Sequence, residues 1–167
     1  MVKVQKADSR YWLMKTEPHT FSYDDLRARP GHITPWDGVR NYQVRNMLRD
    51  QVKLGDLVFI YHSSCPEPGI VGIGTVVREG YPDLSALDKK SPYYDEKAAK
   101  KGVSPWVCVD VQARGRFART IALKDLRQEA PLSDMELLRQ GSRLSVQPVQ
   151  PEAWRHILSL GDLKAEA

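Results

Sequence analysis

The chain has 167 residues, 41% hydrophobic and 28% charged, which is enough for one domain with a proper core and no need of covalent staples. Its 25 basic and 21 acidic residues leave a net charge of +4, a mildly basic balance that permits a nucleic-acid partner without demanding one. No apolar run approaches the ~20 residues of a membrane span, the opening MVKVQKADSR has no apolar signal core, and two cysteines, Cys65 and Cys108, make neither a disulfide scaffold nor a zinc ribbon. The expectation is a cytoplasmic monomer with no membrane association, no cofactor and no bound metal, nucleoid-associated if the source is bacterial.

The excess charge lies in the two end segments. Residues 1–50 carry nine Lys/Arg against six Asp/Glu, whereas residues 51–100 carry six against seven. Residues 1–10 read as a polar tail, and YWLMK (11–15) as a first strand bounded by Pro18. Ser22 is placed to cap a short helix running to Arg29, with Asp24 and Asp25 in its first turn and Pro30-Gly31 stopping it. The loop HITPWDGV follows, with a Trp among turn-forming residues. Val44, Met47, Leu48 and Val52 recur at helical spacing and predict a helix over 41–52.

LVFIYH (57–62) has the composition of a buried strand, and IVGIGTVVR (70–78) that of a second. The two glycines inside the second predict a bend or a close backbone approach. Residues 81–102 are polar and predict a long excursion with only short helical turns. WVCVDVQAR (106–114) alternates like a half-buried strand, and 117–123 is expected to return antiparallel after a turn at Gly115. Ser133 and Glu136 have capping-box spacing for a helix ended by Gly141. LSVQPV (144–149) reads as an edge strand containing Pro148, and Pro151 opens a last helix whose Ala153, Trp154, Ile157 and Leu158 face the core. Residues 162–167 read as a C-terminal tail.

The strands are not regularly separated by helices. The fold class is therefore α+β: a small, mostly antiparallel β-barrel with peripheral short helices, spanning 11–161.

Enzymatic motifs are scarce. Gly72 and Gly74 lie within a strand and lack the third glycine of a dinucleotide fingerprint. There is no GxxxxGK[ST], HExxH or CxxC. His62 stands three positions before Cys65, but nothing supplies an orienting third group, so a semi-exposed loop cysteine is the better reading than a thiol nucleophile. WDGVRNY (36–42) instead gathers an indole, an arginine, an amide and a phenol before a predicted helix. A planar polar ligand such as an unstacked base needs those parts. Taken alone, the segment is more simply a core Trp beside an ordinary Asn cap. YHSS (61–64) and SRLSVQP (142–148) add polar groups at strand ends; a common barrel mouth would join them to Trp36, while a solvated strand face is their plain alternative.

Taken in order, YWLMKTEP, FSYDDL, WDGVRNYQVRN, GDLVFIYHSSC, PGIVGIGTVV, EGYPD, SPYYD, WVCVDV and GSRLSVQPV resemble the EVE domain family over residues 11–160. The resemblance implies a PUA-like fold related to the YTH domain, which binds methylated adenine in RNA. It also implies a base-sized pocket, a role in reading modified bases, notably modified cytosines in DNA, and DNA in preference to RNA as partner. The matching positions near that pocket are Lys15, Trp36, Asn41, Tyr61, His62, Ser63, Leu144, Ser145 and Gln147. Thr16 stands where the family often has Ser. After YYD this chain has Glu96-Lys97 and AAKKG in place of the common Pro and Lys, so no contact is carried over for 93–102.

The reading is a non-enzymatic, single-domain reader of a modified base. Trp36 would stack on the base, Asn41, Ser145 or Gln147 would pair with its edge, and Lys15, Arg40 or Arg143 would hold phosphate or balance charge. Trp36, Asn41, Tyr61, His62 and Ser145 are expected to line one cavity. The alternatives are a protein that binds a free nucleoside or metabolite in the same pocket, and a hydrolase built on Cys65 and His62.

Overall fold

A computed structural model describes residues 10–166, so the expected N-terminal tail lies almost wholly outside the described residues. Two strands set the plan. β1 (Tyr11–Thr16) and β3 (Leu57–His62) pair in parallel, Tyr11 opposite Leu57 through to Thr16 opposite His62. Both are buried on two faces. Trp12, Met14, Val58 and Ile60 enter one core, while Leu13, Phe59 and Tyr61 enter the other. That double burial is why WLM and VFIY are unbroken apolar runs rather than alternating ones.

The remaining strands are β2 (Ile33–Pro35), β4 (Gly69–Pro82), β5 (Val107–Ala122), β6 (Val146–Val149) and β7 (Leu163–Ala165). The sheet order is β2-β5-β4-β3-β1-β6, with β7 also on β5, and every pairing except β1–β3 is antiparallel. The expected mostly antiparallel sheet with short peripheral helices is thus what the chain forms.

On the first face pack α1 (Tyr23–Ala28), through Tyr23 and Leu26, and α2 (Tyr42–Asp50), through Val44, Met47 and Leu48. On the second pack α4 (Leu123–Leu126) and α5 (Pro151–Leu160), the latter through Ala153, Trp154 and Ile157. α3 (Glu96–Lys101) lies in the excursion between β4 and β5. The start of α1 follows the sequence closely: Ser22 and Asp25 cap one another's backbone amides.

The structure departs from the sequence reading at four places. Gly115 is no turn, because β5 runs on through it for 16 residues. Ile73 pairs with Gly115 and Gly74 with Ala113, which leaves Arg114 as a bulge. One extra residue reverses which way the following side chains point. Hence Val109, Val111 and Ala113 enter the first core and Phe117 and Ile121 the second. A bulge beside a glycine looks like a reversal in sequence. Gly115 is needed instead because β7 comes close, with the Lys164 carbonyl 3.1 Å from where a Cβ would sit.

The second departure is the helix expected after Ser133. In its place stand two 3₁₀ turns, Ala130–Leu132 and Glu136–Leu138, because extended Met135 (φ −63°, ψ 137°) breaks the helical path between them. The third concerns chain ends: β6 begins at Val146 rather than Leu144, and Leu163–Ala165 adds a strand in the segment set aside as a tail. β2 was also unforeseen, lying within the HITPWDGV loop.

Asp56 ties the central strands together. Its buried carboxylate accepts the Trp12 indole N–H at 2.9 Å and the Lys53 amide at 2.9 Å. The strand glycines mark close approaches, as expected. A Cβ on Gly72 would lie 2.5 Å from the Gly115 carbonyl oxygen and 2.7 Å from the Tyr23 ring. Gly72→Ala should therefore destabilise the protein by ~1–3 kcal/mol through overpacking against backbone, measured by urea unfolding; an unchanged midpoint would show that β4 and β5 can part without cost.

Candidate nucleic-acid interface

At one end of the sheet the last residues of β1, the β2–α2 connection, the β4–β5 excursion and the entry to β6 surround a cavity of about 590 Å³. Five of the residues singled out in the sequence line it: Lys15, Trp36, Ser63, Arg143 and Ser145. They arrive from opposite ends of the chain because Met14 pairs with Val146 and the Lys15 amide donates to the Ser145 carbonyl at 2.8 Å.

Trp36 has two jobs. Its amide donates to the Val109 carbonyl at 2.7 Å, which ends the β2–β5 pairing, and its indole is 7% exposed within the first core. The ring is therefore cavity wall and core at once. Two residues on, Gly38 holds φ +81° and donates its amide to Asp83 at 3.0 Å. The Tyr93 ring presses on Gly38, so a Cβ there would lie 2.6 Å from it. Only glycine satisfies both the left-handed backbone and that contact.

Arg40 does not line the cavity. Its guanidinium donates to Asp83 at 3.0 Å and to the Tyr93 carbonyl at 2.6 Å, and it sits 5.3 Å from the Trp106 ring. It clamps the WDG loop to the excursion that carries Tyr93. Burial alone would raise the Asp83 acid. Hydrogen bonds from Ser85, Gly38 and Arg40 outweigh that and hold its pKa below the usual carboxylate value.

Five further positions expected at the cavity lie behind it. The Asn41 side chain accepts the Val44 amide at 3.0 Å as the cap of α2, the plain role weighed for it in the sequence. Tyr61 is buried in the second core. His62 points to the opposite side of β3, where Nε2 accepts the Tyr23 amide at 3.0 Å; burial lowers its pKa, in keeping with a neutral acceptor. Leu144 packs against the first core. Gln147 is 1% exposed and donates to the Leu144 carbonyl at 2.8 Å, bracing the turn that presents Arg143 and Ser145. Of the five residues expected to share one cavity, Trp36 and Ser145 do so. Strand alternation carries Tyr61 and His62 away, and helix capping holds Asn41.

The cavity also takes residues that the sequence did not single out, among them Thr16, Glu17, Phe21, Arg29, Asp37 and Tyr93. Burial, with help from Asp83, pushes the Asp37 acid above its ordinary value. Burial also lowers the Lys15 pKa, with Glu136 opposing. Among the described residues, no group of three or more His, Cys, Asp or Glu side chains could hold a metal ion, and no helix is long and apolar enough to cross a membrane.

The profile of the EVE domain matches residues 10–160. This chain belongs to the EVE domain family. Human thymocyte nuclear protein 1 is 42% identical over 169 residues, covering 91% of this chain and 74% of that protein. A Pseudomonas syringae protein of known structure superposes with a TM-score of 0.84 at 50% identity, over 90% of this chain and 98% of that one. The crystal structure of human THYN1 in complex with 5-methylcytosine-containing DNA superposes with a TM-score of 0.83 at 42% identity, over 91% and 97% of the two chains. The fold is that of EVE and PUA-like domains.

In this EVE domain the Arg40–Asp83 clamp should govern acid stability. The Asp83 pKa is depressed on folding, so its contribution is complete above its unfolded pKa of ~3.9 and is lost as pH falls toward the folded value. Asp83→Asn should flatten that part of the curve of unfolding free energy against pH. Arg40→Ala, which strands the buried carboxylate, should cost ~3 kcal/mol at neutral pH. A loss under 0.5 kcal/mol, within the usual range for a surface change, would show that the clamp is dispensable.

Proposed function

We propose that this protein is a non-enzymatic reader of modified cytosine in DNA, taking the base into the cavity beside Trp36 and Tyr93. The observation that carries this reading is the cavity, with its aromatic walls, in a chain 42% identical to a human relative whose crystal structure contains 5-methylcytosine DNA. A base drawn out of a duplex needs a stacking surface, groups for its edge, and cations for the displaced backbone. Trp36, Phe21 and Tyr93 offer aromatic surface. Ser63 and Ser145 offer hydroxyls, and Lys15, Arg29 and Arg143 offer positive charge.

Chemistry on the base has less support. His62 commits Nε2 to the Tyr23 backbone and so is not free to serve Cys65 as a base through that nitrogen. Burial pushes the other thiol, Cys108, up to about 12, far from a thiolate at neutral pH.

The test is fluorescence anisotropy with matched oligonucleotides, DNA and RNA, carrying one 5-methylcytosine or one cytosine. The methylated DNA should bind more tightly, with affinity falling as salt rises. Tyr93→Ala should weaken it by about 5- to 150-fold, the range for one base–aromatic contact. Trp36→Ala should weaken binding too, but with a core loss of ~3–5 kcal/mol in stability. Equal affinity for both DNA oligonucleotides by a folded protein would refute modified-base reading.

A further inference from the structure

Methylation places a group on C5, but it is the base edge that tells 5-methylcytosine from thymine, since both carry the 5-methyl. Cytosine offers an N4 amino donor where thymine offers an O4 acceptor. A side chain that only accepts hydrogen bonds separates the two. Ser63 and Ser145 hydroxyls donate as readily as they accept, and Lys15, Arg29 and Arg143 only donate. The Thr16 hydroxyl gives its proton to the Phe21 carbonyl at 2.6 Å and can still accept, as a neutral group. The charged acceptors on the cavity wall, which take an amino N–H most strongly, are the carboxylates of Asp37 and Glu17.

We infer that Asp37 is the residue that selects an amino-pyrimidine edge, accepting the N4–H of a cytosine-class base stacked beside Trp36; this rests on the modified-base reading above. Its place in the chain supports the choice. Asp37 sits between two residues pinned by their amides, Trp36 to Val109 at 2.7 Å and Gly38 to Asp83 at 3.0 Å. Its short side chain leaves that fixed backbone next to the indole. Among the described residues its carboxylate has no hydrogen-bond or ion-pair partner on another residue, only its own backbone amide, whereas the neighbouring Asp83 is fully engaged by other residues. Burial, and then the charge of Asp83, disfavour the Asp37 carboxylate, so an arriving N–H donor relieves an existing penalty. Glu17 lies on the turn after β1, where its own carbonyl accepts the Thr20 and Phe21 amides at 2.9 Å, but its side chain is longer by one rotatable bond and it does not adjoin Trp36 in the chain.

The test compares oligonucleotides holding one 5-methylcytosine or one thymine, each opposite an abasic site so that no partner base differs. The wild-type chain should prefer 5-methylcytosine by about 10-fold or more. Asp37→Ala should bring the ratio to within about 2-fold while the thermal melt is unchanged, because the side chain is exposed to the cavity rather than part of the core. Asp37→Asn, able to donate or accept, should also relax it. Simple loss of negative charge raises affinity for both oligonucleotides alike and leaves their ratio intact. Glu17→Gln should keep the wild-type ratio. If Asp37→Ala keeps that ratio, or Glu17→Gln removes it, the assignment of Asp37 is overturned while modified-base reading stands. If the wild-type protein binds the two oligonucleotides equally, the edge-reading inference fails; if it also binds methylated and plain cytosine equally, the modified-base reading fails with it.

Discussion

The cavity depends on one buried carboxylate. Asp83 is 1% exposed and receives the Gly38 amide, the Arg40 guanidinium, and the amide and hydroxyl of Ser85. A lone buried charge would be expensive, and one held by four donors becomes a fixed joint. The segment from Asp37 to Asn41 belongs to no helix or strand. Its shape is set by this joint on one side and by the Trp36–Val109 hydrogen bond on the other. Arg40 extends the joint to the Tyr93 carbonyl, so two aromatic walls drawn from separate loops share one anchor.

Such an arrangement suits recognition. Loops carry binding groups well when a rigid scaffold positions them. Here the scaffold is the doubly buried pair β1 and β3, which end together at the cavity; the Ser145 turn is tied to β1, the Trp36 loop to β5, and the loops to one another through Asp83 and Arg40. Trp36 belongs to both parts. Any change to its ring alters the core and the cavity wall together. The cavity is also mixed in charge: Lys15, Arg29 and Arg143 face Glu17 and Asp37. A uniformly basic pocket would attract backbone phosphate. This one carries both signs of charge on one wall.

Much of the fold was legible because local signals agreed with burial. Ser22 and Asp25 announced α1, Val44, Met47 and Leu48 announced α2, and the unbroken apolar runs at 12–14 and 58–61 announced the buried strands. Gly115 and Ser133 misled for physical reasons. A bulge and a turn use the same residue, and a capping-box spacing is overridden when Met135 is extended. The site was only partly legible. Trp36, Lys15, Ser63, Arg143 and Ser145 could be gathered because they flank strand ends. Asn41 and Gln147 have side chains equally able to bind a ligand or brace a backbone, and spacing cannot tell which. Asp37 and Tyr93 were passed over, although both stand in motifs, WDG and SPYYD, that the family resemblance already marked. Their placement on the cavity wall follows from Asp83, whose joint links positions 38, 40 and 83 and has no periodic signature.

The pairing of β6 with β1 has a consequence for how the protein is made. β1 leaves the ribosome well before its second neighbour, β6, which lies far along the chain from it. Contacts so distant along the chain form late, after most of the loop-closure entropy has been lost. Until then β1 offers an unpaired edge that is apolar on both faces, the kind of strand that recruits other chains. An interrupted product ending before Val146 would therefore not be a weakened form of the protein. It would lack the strand that positions Ser145, and it would carry an open adhesive strand at the edge of its sheet.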